Sequence, residues 1–254
     1  MFRSGRCLGT LSREPKKEGS QVFDKSRVAG AVLLLLGTSA AADEFRVGAQ
    51  AGIPNWSMDI EVPLLSVSAS ADPGANPSAG LVAQYVTKTD DEVEDGFYIG
   101  VEVGYTAESG SGSDELTLLG AQVEVDTEMS WVADLLWLAG FDLGDVSALG
   151  GQLEDVSVFG LVGASYAGGE VAVTVPSLDV TGSDEAKHFG WKFGAGAEFN
   201  VSESVALQVR ATYTLYEEST YRDQGISLEV EPGAVEVRAS LLYRFDAGDL
   251  FGRL

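Results

Sequence analysis

"KHFGWKFGAGAEFNVSESVALQVRATYTLYEE", residues Lys187 to Glu218, carries an apolar side chain at every second position over most of its length. Phe189, Trp191, Phe193, Ala195, Ala197 and Phe199 alternate with Gly190, Lys192, Gly194, Gly196 and Glu198. After Asn200-Val201-Ser202-Glu203 the pattern resumes, with Val205, Leu207, Val209, Ala211, Tyr213 and Leu215 set against Gln208, Arg210, Thr212 and Thr214. A period of two belongs to extended chain, so the stretch predicts two long antiparallel strands joined by a tight turn. One face is bulky and apolar; the other is small or charged. In a soluble protein the apolar face packs inward on a core, whereas in a membrane barrel it points outward and the polar face lines the lumen. Both arrangements have the same period, so strand length, aromatic placement, connections and charge have to decide.

The remainder of the chain repeats the pattern. Gly96–Thr106 sets Phe97, Ile99, Val101, Val103 and Tyr105 against Gly100, Glu102 and Gly104. Glu115–Val125, Met129–Phe141, Asp155–Ala167 and Glu170–Val180 are the second to fifth predicted strands. The fifth is weakened by Pro176, which has no N–H for a ladder. The opening hairpin supplies the sixth and seventh. Ala234–Phe245 is the eighth, with Val235, Val237, Leu241, Tyr243 and Phe245 opposite Glu236, Arg238 and Arg244. Most runs are 10–13 residues long. Strands of globular proteins peak at about 5–6 residues, while a tilted strand crossing a bilayer needs about 9–11. Aromatic residues on the apolar face gather towards strand ends (Phe97, Tyr105, Phe141, Tyr166, Phe189, Phe199, Tyr243, Phe245), as interfacial girdles do. Trp131, Trp137, Trp191, Phe193 and Tyr213 share that face and complete the candidate lipid-facing set.

The connections are expected to alternate. Asp126-Thr127-Glu128, Gly168-Gly169 and Asn200 to Glu203 read as short turns, with longer links at 107–114, 142–154, 181–187 and 218–233. Short inner turns alternating with long outer loops is the habit of membrane barrels.

Charge points the same way. Glu102, Asp134, Lys192, Glu198, Arg210, Glu236, Arg238 and Arg244 all fall mid-strand between apolar neighbours. In a barrel they face a narrow lumen and must pair, because an unpaired buried charge is costly. Glu198 and Glu236 are expected to pair with Arg210 and Arg238. On these grounds the apolar face is outside. The fold class expected is an all-β, closed, antiparallel up-and-down transmembrane β-barrel of eight strands, with ten as the alternative.

At the N-terminus, Lys25 and Arg27 precede an apolar run, Val28 to Leu36, followed by small residues and Ala40-Ala41-Ala42. That order predicts an export signal over 1–42 with a long basic lead-in, cleaved before Asp43. The run is shorter than the roughly 20 apolar residues of a membrane helix. Removing 1–42 takes away seven basic and three acidic residues and leaves nine against 36, a net charge of −27. Such a chain repels phosphate backbones, which excludes nucleic acid as a partner. The single cysteine, Cys7, and the single histidine, His188, exclude a disulfide framework and a histidine-rich metal site.

With its strands placed, the chain resembles the small outer-membrane β-barrel families, the OmpA-like membrane domains and opacity-type surface proteins. The likeness rests on "GFYIGVEVGYT", on the hairpin "WKFGAGAEFNVSESVALQVRATYTL" and on the closing "VEVRASLLYRF". It covers roughly 96–245 and concerns architecture. It implies export to the outer membrane, contact with membrane lipid and lipopolysaccharide, and recognition of the closing strand by the barrel-assembly machinery. The chain departs from the family's habit by continuing past Phe245 as a tail, 246–254. Residues 43–95 are expected to be an N-terminal extension or an extra strand pair.

No catalytic or cofactor site is expected. The lipid A deacylase type carries a serine two residues after its histidine; here Gly190 stands there. The acidic runs Asp90 to Asp95 and Asp184-Glu185 offer hard oxygens to divalent cations but lack a regular calcium loop, so no metal site is assigned. Three functions are open: a structural or surface-interaction barrel with a closed, charge-paired lumen; a narrow porin-like or hydrophobic-solute channel; and a soluble exported ligand-binding barrel.

Overall fold

The computed structural model describes residues 43–62, 67–88, 96–118, 121–145, 155–176, 180–223 and 226–246. The leader and the run Asp90 to Asp95 lie outside the described residues. The strands are β1 (Asp43–Val62), β2 (Val67–Ala75), β3 (Ser78–Lys88), β4 (Phe97–Leu118), β5 (Ala121–Asp142), β6 (Val156–Val175), β7 (Val180–Ser202), β8 (Val205–Tyr216), β9 (Ser219–Asp223) and β10 (Ile226–Asp246). Eight of them, β1-β3-β4-β5-β6-β7-β8-β10, close a wholly antiparallel ring, sealed where β1 pairs with β10 from Glu44↔Asp246 to Glu61↔Glu229. In-register partners followed once around from Arg46 are Gln84, Glu102, Leu136, Gly163, Lys192, Thr214 and Ala234. The path returns to β1 at Trp56, ten residues further along. That stagger tilts the strands, and eight of them enclose a space that side chains fill.

The apolar face is the outer one. Leu81, Trp137, Trp191 and Leu241 are at least half exposed, at 71%, 50%, 54% and 56%, while the alternate residues of the same strands are buried. Two aromatic belts bound this wall. Phe45, Phe97, Phe141, Phe199, Tyr243 and Phe245 ring the end nearest Asp43 and Asp246, with Phe45 against Phe245 at 6.4 Å. In the upper belt Trp131 sits between Tyr105 and Tyr166, at 6.3 and 5.6 Å, and Phe189 meets Trp191 edge-on at 6.0 Å. Between the belts run segments such as 97–105, 131–141 and 189–199, the length a tilted membrane strand requires.

Ring membership differs from the sequence expectation although the count of eight agrees. β1 and β3 come from 43–95, so the barrel begins at Asp43 rather than at residue 96. The expected second strand, Glu115–Val125, is the far end of the β4–β5 hairpin, and the expected fifth, Glu170–Val180, is the upper end of β6 turning into β7. The expected alternation of turns is also corrected. Asp126-Thr127-Glu128 lies inside β5 and Gly168-Gly169 inside β6, while the lower connections are 89–96, 143–155 and the tight turn Glu203-Ser204. The physical reason is an inversion of polarity along each strand. Between the belts apolar residues face out; above them they face in. On β1 the outward row changes from Ala49, Ala51 and Ile53 to Asn55, Ser57 and Asp59, and the inward row from Arg46 and Gln50 to Trp56 and Met58. A bulge between Met129 and Trp131 makes the corresponding change on β5. A reading that follows one apolar phase therefore ends the strand at the belt.

Above the belts the ring divides. β3 stops pairing with β4 at Ser78↔Glu108, and β8 stops pairing with β7 at Tyr216↔Gly190. Their continuations, β2 and β9, are hydrogen-bonded to β1 and β10 but to neither β4 nor β7. The upper part is thus two four-stranded sheets, β9-β10-β1-β2 and β4-β5-β6-β7, with seams at β2/β4 and β7/β9. They share a core of Trp56, Met58, Val125, Met129, Val171, Ala186, Tyr216 and Val230.

Gly168 holds the upper belt together: a Cβ there would lie 2.5 Å from the Trp131 ring. Gly168→Ala is expected to displace that ring and cost about 1–3 kcal/mol. The double variant with Trp131→Ala should be no less stable than Trp131→Ala alone, as measured by the urea midpoint of the folded band on a gel.

Candidate functional site

The lumen between the belts holds the eight charges expected there, and adds Arg46 and Glu44 from β1. Arg46 Nη1 donates to Glu198 at 2.6 Å, and Arg244 also bonds Glu198. Gln208 donates to Glu198 at 2.6 Å and exchanges hydrogen bonds with Gln84, which donates to Glu102 at 2.7 Å. Arg210 Nη1 donates to both Glu102 oxygens at 2.6 and 2.7 Å, and its Nη2 reaches Gln50 at 3.1 Å. A second cluster lies towards the upper belt. Asp134 accepts from Lys192 at 2.9 Å, from Arg238 at 3.3 Å and from Ser165 at 2.8 Å, and Arg238 also forks onto Glu236 at 2.8 and 2.7 Å.

Glu236 pairs with Arg238 as expected. Glu198 does not pair with Arg210: the register sets Gly196 opposite Arg210 and Gln208 opposite Glu198, so Glu198 meets Arg46 and Arg244 across the lumen instead. The two clusters balance. Arg46, Lys192, Arg210, Arg238 and Arg244 face Glu44, Glu102, Asp134, Glu198 and Glu236, and most of these side chains are at most 5% exposed. Buried ions in this state are matched and hydrogen-bonded, the condition under which burial is tolerated. Of the predicted lipid-facing set, Phe97, Tyr105, Trp137, Phe189, Trp191, Phe193, Phe199, Tyr213 and Tyr243 are exposed on the outer wall, and Trp131 and Phe245 are half-buried there.

Sequence reasoning missed Arg46, Gln50 and Trp56. The signal was present: Phe45, Val47, Ala49, Ala51 and Ile53 alternate with Glu44, Arg46, Gly48, Gln50 and Gly52. Its small outward residues made the strand easy to pass over.

Each seam is closed at its base by one hydrogen bond. At β2/β4, Trp56 Nε1 donates to Glu108 at 2.7 Å, and the indole stacks on Tyr216 at 5.4 Å. At β7/β9, Ser219 Oγ lies 3.2 Å from His188 Nδ1. Both titratable partners sit just above the belt-to-belt segments. Burial, helped by the Glu236 charge, pushes the Glu108 carboxyl up to about 7 from its ordinary 4.5. Burial pulls the His188 imidazole down to about 4 from its ordinary 6.5. Glu108 therefore adds stability that is full below pH 4.5 and lost as pH rises through 7, and His188 adds stability that is full above pH 6.5 and lost as pH falls through 4. The two slopes oppose one another between pH 4.5 and 6.5, so amide exchange in the upper sheets is expected to vary little there. Glu108→Gln should expose the acid-side loss, and His188→Asn the alkaline-side loss. Parallel pH profiles for all three proteins would refute the assignment.

Among the described residues no group of three or more His, Cys, Asp or Glu side chains is arranged to hold a metal ion. No curated protein matches the chain. Solved structures do resemble it. Ail, the attachment invasion locus protein of Yersinia pestis, is 15% identical with a TM-score of 0.35, over 81% of this chain and 99% of Ail. The outer membrane protease OmpT from Escherichia coli is 10% identical with a TM-score of 0.49, over 83% and 100%. The outer membrane protein OprG from Pseudomonas aeruginosa is 13% identical with a TM-score of 0.45, over 81% and 96%. At such identities the likeness carries no activity across. The model of the outer membrane protein beta-barrel domain family, by contrast, matches residues 28–245. The sealed ring, its apolar outer wall and that match agree: the chain belongs to the outer membrane protein β-barrel domain family.

Proposed function

We propose that this outer-membrane barrel is a structural and surface-interaction protein, a closed pedestal that holds an acidic two-sheet head outside the membrane. The observation that carries this reading is the neutral, hydrogen-bonded lumen capped by Trp56, Met58, Met129 and Tyr216, which leaves no polar path along the axis. Conduction would require both the ion pairs and the apolar cap to be dismantled. The same reading assigns no catalysis: His188 is 1% exposed and closes a seam instead of facing a substrate. Membrane lipid, lipopolysaccharide included, covers the belted wall, residues 1–42 direct export, and 234–245 serve the assembly machinery. A ligand-binding barrel of the soluble kind would need the apolar face inward, where the charges are.

Two measurements on the detergent-extracted protein test this. The unboiled band should migrate anomalously on a gel and shift on boiling, because a closed ring resists detergent unfolding. Planar bilayers should show no stable current. A steady cation-selective current reduced by Lys192 or Arg210 substitution would replace the closed pedestal with a channel.

A further inference from the structure

The β7/β9 seam leaves a strand edge in an unusual setting. Below the seam β7 is flanked on both sides, by β6 and β8. From Phe189 upward it keeps β6, in register as far as Val175↔Val180, but among the described residues no strand is in register on its other side. β9 is only five residues long and turns its ladder to β10. An open edge is a template for another strand, and proteins ordinarily blunt it with a bulge, a proline or lysines.

The outer surface beside this edge is built from like charges in register. Glu128 pairs with Glu170 across β5 and β6, and Glu170 with Glu185 across β6 and β7. All three are exposed, as are Glu217 and Glu218 at the seam's mouth. Like charges directly opposite on neighbouring strands oppose the pairing they sit on. The one nearby cation, Lys187, lies 3.0 Å from Glu185 and leaves a clear negative excess. The inward row of the same edge is apolar or neutral, with Ala186 and His188 buried.

We infer that the upper edge of β7, 181–188, is a docking site for an extended basic segment of another polypeptide, added as a strand in the seam. Its alternate side chains would face two environments: lysines or arginines over Glu185 and Glu170, and apolar residues continuing the buried row of Ala186 and His188. Charge complementarity selects this occupant over a second copy of the chain, because pairing two β7 edges would bring Glu185 and its neighbours against their own like. The inference rests on the surface-interaction reading and gives it a partner class. Heat-modifiability and bilayer current test that reading without any peptide.

The experiment uses the full chain in a zwitterionic detergent and a fluorescent peptide alternating lysine with valine, with empty micelles as control. The peptide should bind, and binding should slow amide exchange across 181–187. E170K/E185K, which alters only exposed side chains, should weaken binding at least about tenfold. A glutamate–valine peptide should not compete. Absence of binding overturns the inference. So does binding that leaves those amides unprotected, which is adsorption to an acidic surface, and so does equal binding of the glutamate peptide. Concentration-dependent dimerisation that protects the same amides without peptide also overturns it, by giving the edge to a second copy.

Discussion

Asp134→Leu is expected to destabilise the barrel by about 3–5 kcal/mol, the cost of leaving buried charge without its partner. Asp134 is the carboxylate on which two cations converge: both its oxygens lie within 2.9 Å of Lys192 Nζ, and Arg238 reaches it at 3.3 Å. Its side chain is 0% exposed, so solvent does not screen what remains. After the substitution Lys192 and Arg238 share Glu236 alone, which is 3.7 Å from the lysine and already forked by the arginine. One positive charge is then in excess inside the ring. Adding Lys192→Met restores neutrality and leaves the Arg238–Glu236 fork intact, so the double variant should recover most of the loss despite having fewer ion pairs. The urea midpoint of the gel-shifted band, taken for wild type, both single variants and the double, reads this directly. A double variant as unstable as the sum of the singles would mean that the pair is worth its Coulomb energy rather than being retained for charge balance. The conformational specificity of the lumen would then need another source.

The contrast between what the alternation revealed and what it concealed is physical. Residues 187–218 and 234–245 were legible because bulky outward side chains alternate there with charged or very small inward ones, the strongest contrast a membrane strand offers. The same contrast located all eight expected lumen charges. It did not locate their partners. Which carboxylate meets which guanidinium depends on the stagger of ten residues around the ring, which brings Arg46 of β1 to Glu198 of β7, 152 positions away. No local pattern carries that number. β1 was passed over for the opposite reason: its pattern is regular, but its outward residues are mostly alanine and valine. The upper sheets were concealed by the polarity inversion. Glu170 outward and Val171 inward make an ordinary surface strand, but coming after Tyr166 outward and Ser165 inward they look like a break.

The second large effect is expected at the inversion itself, where Trp56 caps the charged lumen from above. Its indole is 1% exposed, stacks on Tyr216 and donates to Glu108. Trp56→Ala removes the largest side chain of the upper core and orphans a half-buried carboxyl, for which about 3–5 kcal/mol is expected. Trp56→Phe keeps most of the stacking area and loses only the hydrogen bond, so it should cost about 1–2 kcal/mol. The loss should also be local. The belted ring below is held by its own closed ladder and its neutral ion pairs, none of which involves Trp56. Above it, the β2/β4 seam has no ladder, and the Trp56–Glu108 bond closes its base. Amide exchange in Trp56→Ala should therefore rise in the upper parts of β1, β2, β4 and β5 while the segments between the belts stay protected and the unboiled gel shift persists. Exchange that rises evenly from belt to sheet would show a single cooperative unit. The two-sheet head would then be no separate module standing on the barrel, and any partner it captured would have to be accommodated without loosening it.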